Sequence, residues 1–99
     1  MTTLRGLIRY YDDRYARPPG AMRDYRLYLD LIEARPGSRI LDVGCGEGFF
    51  LEEAEKAGLQ PVGVEIVRSA IALARRRVPA GALAVAAGEA LPFPDRSMD

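Results

Sequence analysis

Residues 40–48 are Ile-Leu-Asp-Val-Gly-Cys-Gly-Glu-Gly, and an acid, Glu65, closes the next apolar run of the chain. The apolar residues before Gly44 predict a parallel strand covered on both faces, and the glycines predict a sharp turn whose backbone a ligand can approach. A helix beginning on this turn presents unpaired N–H groups and a partial positive charge to such a ligand. Strand, turn, helix and acid-terminated second strand are typical of half of a nucleotide-type cofactor site.

The spacing of the glycines separates two kinds of cofactor. A dinucleotide-binding turn has the pattern Gly-x-Gly-x-x-Gly, whereas Gly44, Gly46 and Gly48 occur at every second residue. An oxidoreductase that uses a nicotinamide cofactor is therefore disfavoured. Taken singly, the glycines also suit an ordinary turn and Glu65 a solvated strand end, but their combination at this separation favours a site.

At these residues the chain resembles the class I S-adenosylmethionine-dependent methyltransferases, most closely the small-molecule type known as methyltransferase type 11. In that family the turn holds the methionine end of the cofactor, and the acid after the second strand binds both ribose hydroxyls. Residues 89–95, Glu-Ala-Leu-Pro-Phe-Pro-Asp, and the following Ser97-Met98-Asp99 resemble the family's segment after strand three. The resemblance implies S-adenosylmethionine as cofactor and a small-molecule methyl acceptor as partner. The cofactor-binding residues that it implies are Asp42, Gly44, Cys45, Gly46, Gly48, Glu65, Ile66, Gly88 and Glu89.

Recognition of adenine departs from the family's pattern. The family usually has an aspartate at the end of strand three, where this chain has Ala87. Glu89, two residues later, either reaches the adenine or lines the loop, and we favour the loop. Adenine recognition is then expected from backbone groups near Gly88 and from apolar cover by Ile66.

The implied fold class is α/β, a partial Rossmann-like three-layer sandwich with strands 3-2-1 of a seven-stranded sheet and two helices before them. Residues 1–35 are expected to form an N-terminal helical cap, and residues 36–99 the N-terminal half of the cofactor-binding domain. Because the family orders its sheet 3-2-1-4-5-7-6, strand one would stand at an open edge, which invites self-association. We expect a truncated enzyme that is inactive alone, and we nominate no catalytic base. The alternative is a non-catalytic module that binds the cofactor or self-associates.

Hydrophobic periodicity places the remaining elements. An apolar spacing of three and four residues from Leu4 to Tyr11 predicts a first helix, capped by Thr2 or Thr3. The segment Pro18-Pro19-Gly20 separates it from a second helix with Met22, Tyr25, Leu29 and Ile32 on one face. Strands are expected at 39–43, 61–65 and 82–86, and helices at 47–57 and 69–78, the first burying Phe50, Leu51 and Ala54 and the second Ala70, Ile71, Ala74 and Val78.

The tyrosines of the first helix have two interpretations. In the resembled family the N-terminal helices often cover the cofactor, so that Tyr10, Tyr11 or Tyr15 would lie beside the sulfonium group. The alternative, which we favour, is that they pack the helix against the sheet.

Composition excludes several function classes. Fourteen basic and fourteen acidic residues balance, which gives no indication of nucleic-acid binding. Residues 75–77, Arg-Arg-Arg, are expected to form a solvated helix end. Without histidine and with Cys45 alone, neither a metal site nor an internal disulfide is expected, and small size explains Cys45 better than reactivity. No apolar stretch approaches the roughly 20 residues of a membrane span, and we expect a cytoplasmic protein.

Overall fold

The computed structural model describes residues 3–16 and 25–99 and shows an α/β arrangement around one small sheet. The strands are parallel, with β2 between β1 and β3, which confirms the predicted 3-2-1 order of a partial Rossmann-like fold. In chain order the elements are α1 (Leu4–Tyr15), α2 (Tyr25–Ile32), β1 (Arg39–Val43), α3 (Phe49–Lys56), β2 (Gln60–Glu65), α4 (Arg68–Arg77) and β3 (Ala82–Val85).

The observed boundaries lie within two residues of the predicted ones for β1, β2, β3 and α4. The helix α3 begins at Phe49, two residues later than expected, because Gly48 has a φ of 85° and serves as its N-cap. The strand β3 ends at Val85, although Ala86 N–H still donates to the carbonyl oxygen of Glu65 at 3.2 Å.

The core lies between the sheet and the helices α3 and α4. Its buried cluster contains Cys45, Leu51, Ile71 and Val78. Gly63 of β2 makes this packing possible, because a Cβ there would lie 2.5 Å from Leu51 Cδ1 and 2.9 Å from Cys45 Sγ. The apolar residues predicted to face inward from α3 and α4 do so: Leu51, Ala54, Ala70, Ile71, Ala74 and Val78 are buried, and Phe50 is half-buried.

The basic end of α4 corrects one prediction. Arg75 and Arg76 are exposed, as a solvated helix end requires. Arg77 is half-buried, since its guanidinium carbon lies 3.8 Å from the centre of the Phe49 ring. The prediction was therefore wrong for the third arginine.

The N-terminal helix α1 lies beside α4. Thr3 caps it, since the Thr3 hydroxyl accepts a hydrogen bond from Gly6 N–H at 3.0 Å. Ser69 of α4 donates its hydroxyl to Asp12 of α1. The alternative cap Thr2, the break at Pro18-Pro19-Gly20 and the predicted helical residue Met22 lie outside the described residues.

The helix α2 packs on α3 through aromatic rings. The Tyr25 and Phe50 ring centres are 6.2 Å apart, and those of Tyr28 and Phe50 are 6.5 Å apart. Ile32, predicted on the packed face, is 52% exposed, because the helix ends at that residue and contacts α3 nearer its start.

The strand β1 forms an edge of the sheet within the described residues, as predicted. Its carboxyl end is open, with Val43 51% exposed, so the expectation that both of its faces are covered was wrong. At its amino end, Asp99 N–H donates to the Arg39 carbonyl oxygen at 3.0 Å, and Arg39 N–H donates to Asp99 Oδ2 at 2.9 Å. The segment after β3 therefore returns to the free edge of β1.

Candidate functional site

The turn between β1 and α3 needs its three glycines. Gly44, Gly46 and Gly48 have φ values of 78°, 54° and 85°, in the left-handed region that residues with a Cβ rarely adopt. Two backbone bonds tie the turn to β2, since the N–H groups of Gly44 and Cys45 donate to the Val64 carbonyl oxygen at 2.8 and 3.0 Å. The predicted turn is thus a fixed loop above the sheet.

The third glycine also sets the distance between two helices. A Cβ at Gly48 would lie 2.9 Å from the Ala74 Cβ of α4 and 3.1 Å from the Ala74 Cα. Both the backbone angle and the contact exclude a side chain at this position. Gly48 therefore brings the start of α3 directly onto α4.

The carboxylate of Glu65 holds the turn from the end of β2. Its Oε1 accepts a hydrogen bond from Gly46 N–H at 3.2 Å, and its Oε2 accepts one from Val67 N–H at 2.9 Å. The residue is only 8% exposed. Because each carboxylate oxygen has two acceptor directions, each keeps capacity for one further donor.

A second carboxylate lies below the turn. Burial, and after it the negative charge of Glu65, raise the pKa of Asp42 to about 6. The same two carboxylates, after burial as the main cause, raise the pKa of the Cys45 thiol to about 12. The thiol therefore stays protonated at neutral pH and is a weak nucleophile.

A cleft of about 420 Å³ opens at the carboxyl ends of the strands. Two elements that are distant in sequence flank the cleft: α1 lies on one side and the loop after β3 on the other. Its lining residues are Leu4, Leu7, Tyr15, Val43, Gly44, Glu65, Ile66, Ala86, Ala87, Gly88 and Glu89.

The predicted site residues fall into two groups around this cleft. Five of them line it, namely Gly44, Glu65, Ile66, Gly88 and Glu89. The other four are not among the lining residues, and belong to β1 and the turn beside it: Asp42, Cys45, Gly46 and Gly48. Glu89 lines the cleft, a position that fits both of its predicted roles, and Ala87 lines the cleft where the family's pattern has an aspartate.

Among the described tyrosine side chains of α1, that of Tyr15 reaches the turn. A Cβ at Gly46 would lie 2.7 Å from the Tyr15 hydroxyl oxygen, so the ring end rests on the second glycine. Tyr10 is 63% exposed, and the side chain of Tyr11 lies outside the described residues. Of the three tyrosines proposed beside a cofactor, Tyr15 lines the cleft.

Among the features that the sequence did not predict are the lining residues of α1 other than Tyr15, and one packing residue. Leu4 and Leu7 have the spacing of an apolar helix face, but they border the cleft and are 58% and 40% exposed. The packing role of Gly63 could not be predicted from the sequence, because glycine occurs inside strands for several different structural reasons.

The described residues contain neither a cluster of metal-ligating side chains nor a helix suited to a membrane. No group of three or more cysteine, aspartate or glutamate side chains within residues 3–16 and 25–99 is placed to hold a metal ion. Among the helices of the same residues, none has the length and apolar character to cross a membrane.

Comparisons with known proteins agree on one family. A family model described as a methyltransferase domain matches residues 41–99. A demethylmenaquinone methyltransferase of Renibacterium salmoninarum is 36% identical over 74 residues, which is 75% of this chain and 31% of that protein. A ubiquinone biosynthesis O-methyltransferase of Hahella chejuensis is 40% identical over 52 residues, which is 50% of this chain and 22% of that protein.

A solved structure supports the same likeness. The S-adenosylmethionine-dependent methyltransferase of Methanosarcina mazei matches with a TM-score of 0.65 and 26% identity, covering 72% of this chain and 38% of that one. The chain spans less than a third of the length of the two curated relatives described above.

Proposed function

Because this chain belongs to the methyltransferase domain family, we propose that residues 36–99 bind S-adenosylmethionine and that the whole protein transfers its methyl group to a small molecule. The main support for the proposal is the position of the Glu65 carboxylate. Its buried carboxylate ends β2, holds the glycine turn through Gly46 and lines the cleft. These are the properties needed in a group that receives two neighbouring hydroxyls.

The residues around the cleft fit the cofactor. Gly44 lines the cleft, and apart from its own chain neighbours no heavy atom of the described residues stands within 4 Å of the position that its Cβ would take, so a ligand can approach the backbone there. The two oxygens of Glu65 each keep one acceptor direction for a ribose hydroxyl. A cleft of about 420 Å³ lies within the usual range for small ligands.

Each part of the chain has a proposed task. The turn at 44–48 and Asp42 hold the methionine end, where the first N–H groups of α3 favour its carboxylate and the charge of Asp42 favours its ammonium group. Glu65 holds the ribose, while Ile66 and the backbone near Gly88 cover the adenine. The bound cofactor would supply an electrophilic methyl group on a positively charged sulfur.

The acceptor is proposed only as a class. The names of the two relatives refer to different quinones. Most of the sequence of each relative lies outside the part that matches this chain. We propose that the present chain supplies cofactor binding and orientation, and that turnover requires the remainder of such an enzyme.

The test is calorimetric titration of the folded chain with S-adenosylhomocysteine, with NAD as the ligand control. The 2′-deoxy analogue of S-adenosylhomocysteine tests the role of Glu65, because its missing hydroxyl removes one of the proposed bonds. We expect the wild type to prefer the ribose form by about tenfold, the cost of one hydrogen bond to a charged group. Glu65→Gln should bind more weakly and should lose most of that preference.

A matched variant controls for charge alone. Glu55→Gln removes an exposed glutamate of α3 and should leave both affinities unchanged. A folded wild-type chain that binds neither ligand, or an undiminished ribose preference in Glu65→Gln, would refute the proposal.

The second candidate is a self-associating module, and the open edge of β1 favours it. Val43 is half-exposed at the carboxyl end of that edge, and unpaired edges can pair with another chain. Sedimentation of the wild type and of Val43→Lys at several concentrations tests the idea. A wild type that remains monomeric at all concentrations would eliminate it.

A further inference from the structure

The side chain of Arg77 reaches from the last turn of α4 to the glycine turn. Its Nε–H donates to the carbonyl oxygen of Glu47 at 3.2 Å, and its Nη1 donates to Glu52 Oε2 at 3.4 Å. The guanidinium also covers the Phe49 ring at 3.8 Å. A single side chain thus contacts the turn, the first turn of α3 and the aromatic residue that begins α3.

The bond to Glu47 acts on one rigid unit of the turn. The carbonyl of Glu47 and the N–H of Gly48 belong to the same planar peptide group. Arg77 holds the carbonyl end, while the N–H end donates to the Cys45 carbonyl oxygen at 3.0 Å. With both ends fixed, the orientation of this peptide and the left-handed conformation of Gly48 are set together.

The same helix touches the turn a second time, one helical turn earlier. The close contact of Ala74 with Gly48 prevents the turn from moving toward α4, and the hydrogen bond from Arg77 prevents it from moving away. We propose that Arg77 is a positioning residue that holds the glycine turn in its ligand-binding geometry. This inference rests on the proposed function, because it assigns the turn to the cofactor.

An ordinary helix-end cation does not account for these contacts. Cations in the last turn favour the helix dipole without any specific partner, and the exposed Arg75 and Arg76 already supply that effect. The contacts of Arg77 need a planar group that donates in two directions and stacks on a ring, which lysine lacks.

The test compares Arg77→Met and Arg77→Lys with Arg76→Met, which removes a neighbouring charge that contacts nothing in the turn. The affinity for S-adenosylhomocysteine is measured by calorimetry, well below the unfolding temperature of each variant. We expect Arg77→Met to weaken binding about tenfold, the usual effect of losing a charge-assisted hydrogen bond, with Arg77→Lys in between and Arg76→Met unchanged.

Glu52→Gln separates the two hydrogen bonds of Arg77. It weakens the ion pair but leaves the Glu47 carbonyl bond intact, so its affinity should stay within about threefold of the wild type, as for a half-exposed ion pair. A loss as large as that of Arg77→Met would overturn the role assigned to the peptide of the turn.

Hydrogen exchange of the Gly48 amide gives a readout that needs no ligand. We expect exchange about tenfold faster in Arg77→Met than in Arg76→Met, because the turn opens more often. Equal exchange rates in the two variants would overturn the inference even if the wild type bound no cofactor. If the wild type binds and Arg77→Met binds equally well, the inference fails while the proposed function stands.

Discussion

Replacing Asp42 with asparagine should stabilise the chain at neutral and alkaline pH. The pKa of this carboxyl is raised from 3.8 to about 6 in the folded state, first by burial and then by the charge of Glu65. The folded chain therefore binds a proton more readily at this group than the unfolded chain does. The cost of ionised Asp42 is absent below about pH 4, appears as the pH rises, and is complete above about pH 6.

The size of the effect follows from the difference between the two pKa values. About two pKa units correspond to about 3 kcal/mol of unfolding free energy for a fully buried group. Asp42 is only partly buried, and solvent screening lowers the expected cost to about 1 kcal/mol. Asparagine has a similar shape and no charge, so Asp42→Asn should be more stable than the wild type by about that amount at pH 8.

Urea unfolding followed by circular dichroism at pH 8 and pH 4.5 measures this difference. The gain of Asp42→Asn should be largest at pH 8 and smaller at pH 4.5, and the control Asp95→Asn, which removes a carboxylate at an exposed loop position, should leave the unfolding free energy at pH 8 unchanged. If Asp42→Asn were no more stable than the wild type at pH 8, burial of the ionised carboxylate would not destabilise the fold, and this prediction would be refuted. On the proposed function, the stabilised variant should also bind S-adenosylhomocysteine at least about tenfold more weakly, since it lacks a charged partner for the ammonium group.

Three further predictions concern the turn and its neighbours. Gly48→Ala should lower the unfolding free energy by about 3 kcal/mol, from backbone strain plus the clash with Ala74, whereas Gly37→Ala, with a similar φ and no neighbour within 4 Å, should lose only about 1 kcal/mol. Urea unfolding measures both, and equal losses would contradict the close contact. Cys45 should resist iodoacetamide at pH 8 in the folded chain and react in urea, as judged by mass spectrometry, because its thiol is buried with a pKa of about 12; rapid labelling of the folded chain would contradict this. If the Tyr15 ring covers the ligand, Tyr15→Ala should weaken S-adenosylhomocysteine binding more than Tyr15→Phe does. Equal losses of affinity in the two variants would assign the effect to the hydroxyl group. No loss of affinity in either variant would show that Tyr15 is not part of the site.

The sequence was sufficient for the elements around the turn because local chemistry determines them. Glycines at every second residue and the acid at the end of β2 predicted the position of the turn, and three positive φ angles with the Gly46–Glu65 hydrogen bond agree with that position. The order of the strands came from resemblance to a family, since periodicity alone gives strands without their neighbours. Both kinds of inference concern the part of the chain after residue 36.

Long-range contacts account for what the sequence did not predict. The spacing of Leu4 and Leu7 indicated a helix with an apolar face, but not that this face would border an open cleft. Arg77 looked like one of three equivalent cations, because only the fold brings it within reach of the carbonyl oxygen of Glu47, 30 residues earlier. The packing role of Gly63 could not be predicted without knowing which helix lies on β2.

The double attachment of Glu65 restricts how this site can evolve. The carboxylate that faces the cleft is also the acceptor for the N–H groups of Gly46 and Val67, so a change of residue 65 alters the wall of the cleft and the loop at once. Residues 87 and 89 line the same cleft, and no hydrogen bond from their side chains holds the turn. On the proposed function, new ligand preferences are therefore expected from single substitutions in the loop after β3, while the acid at the end of β2 has to stay.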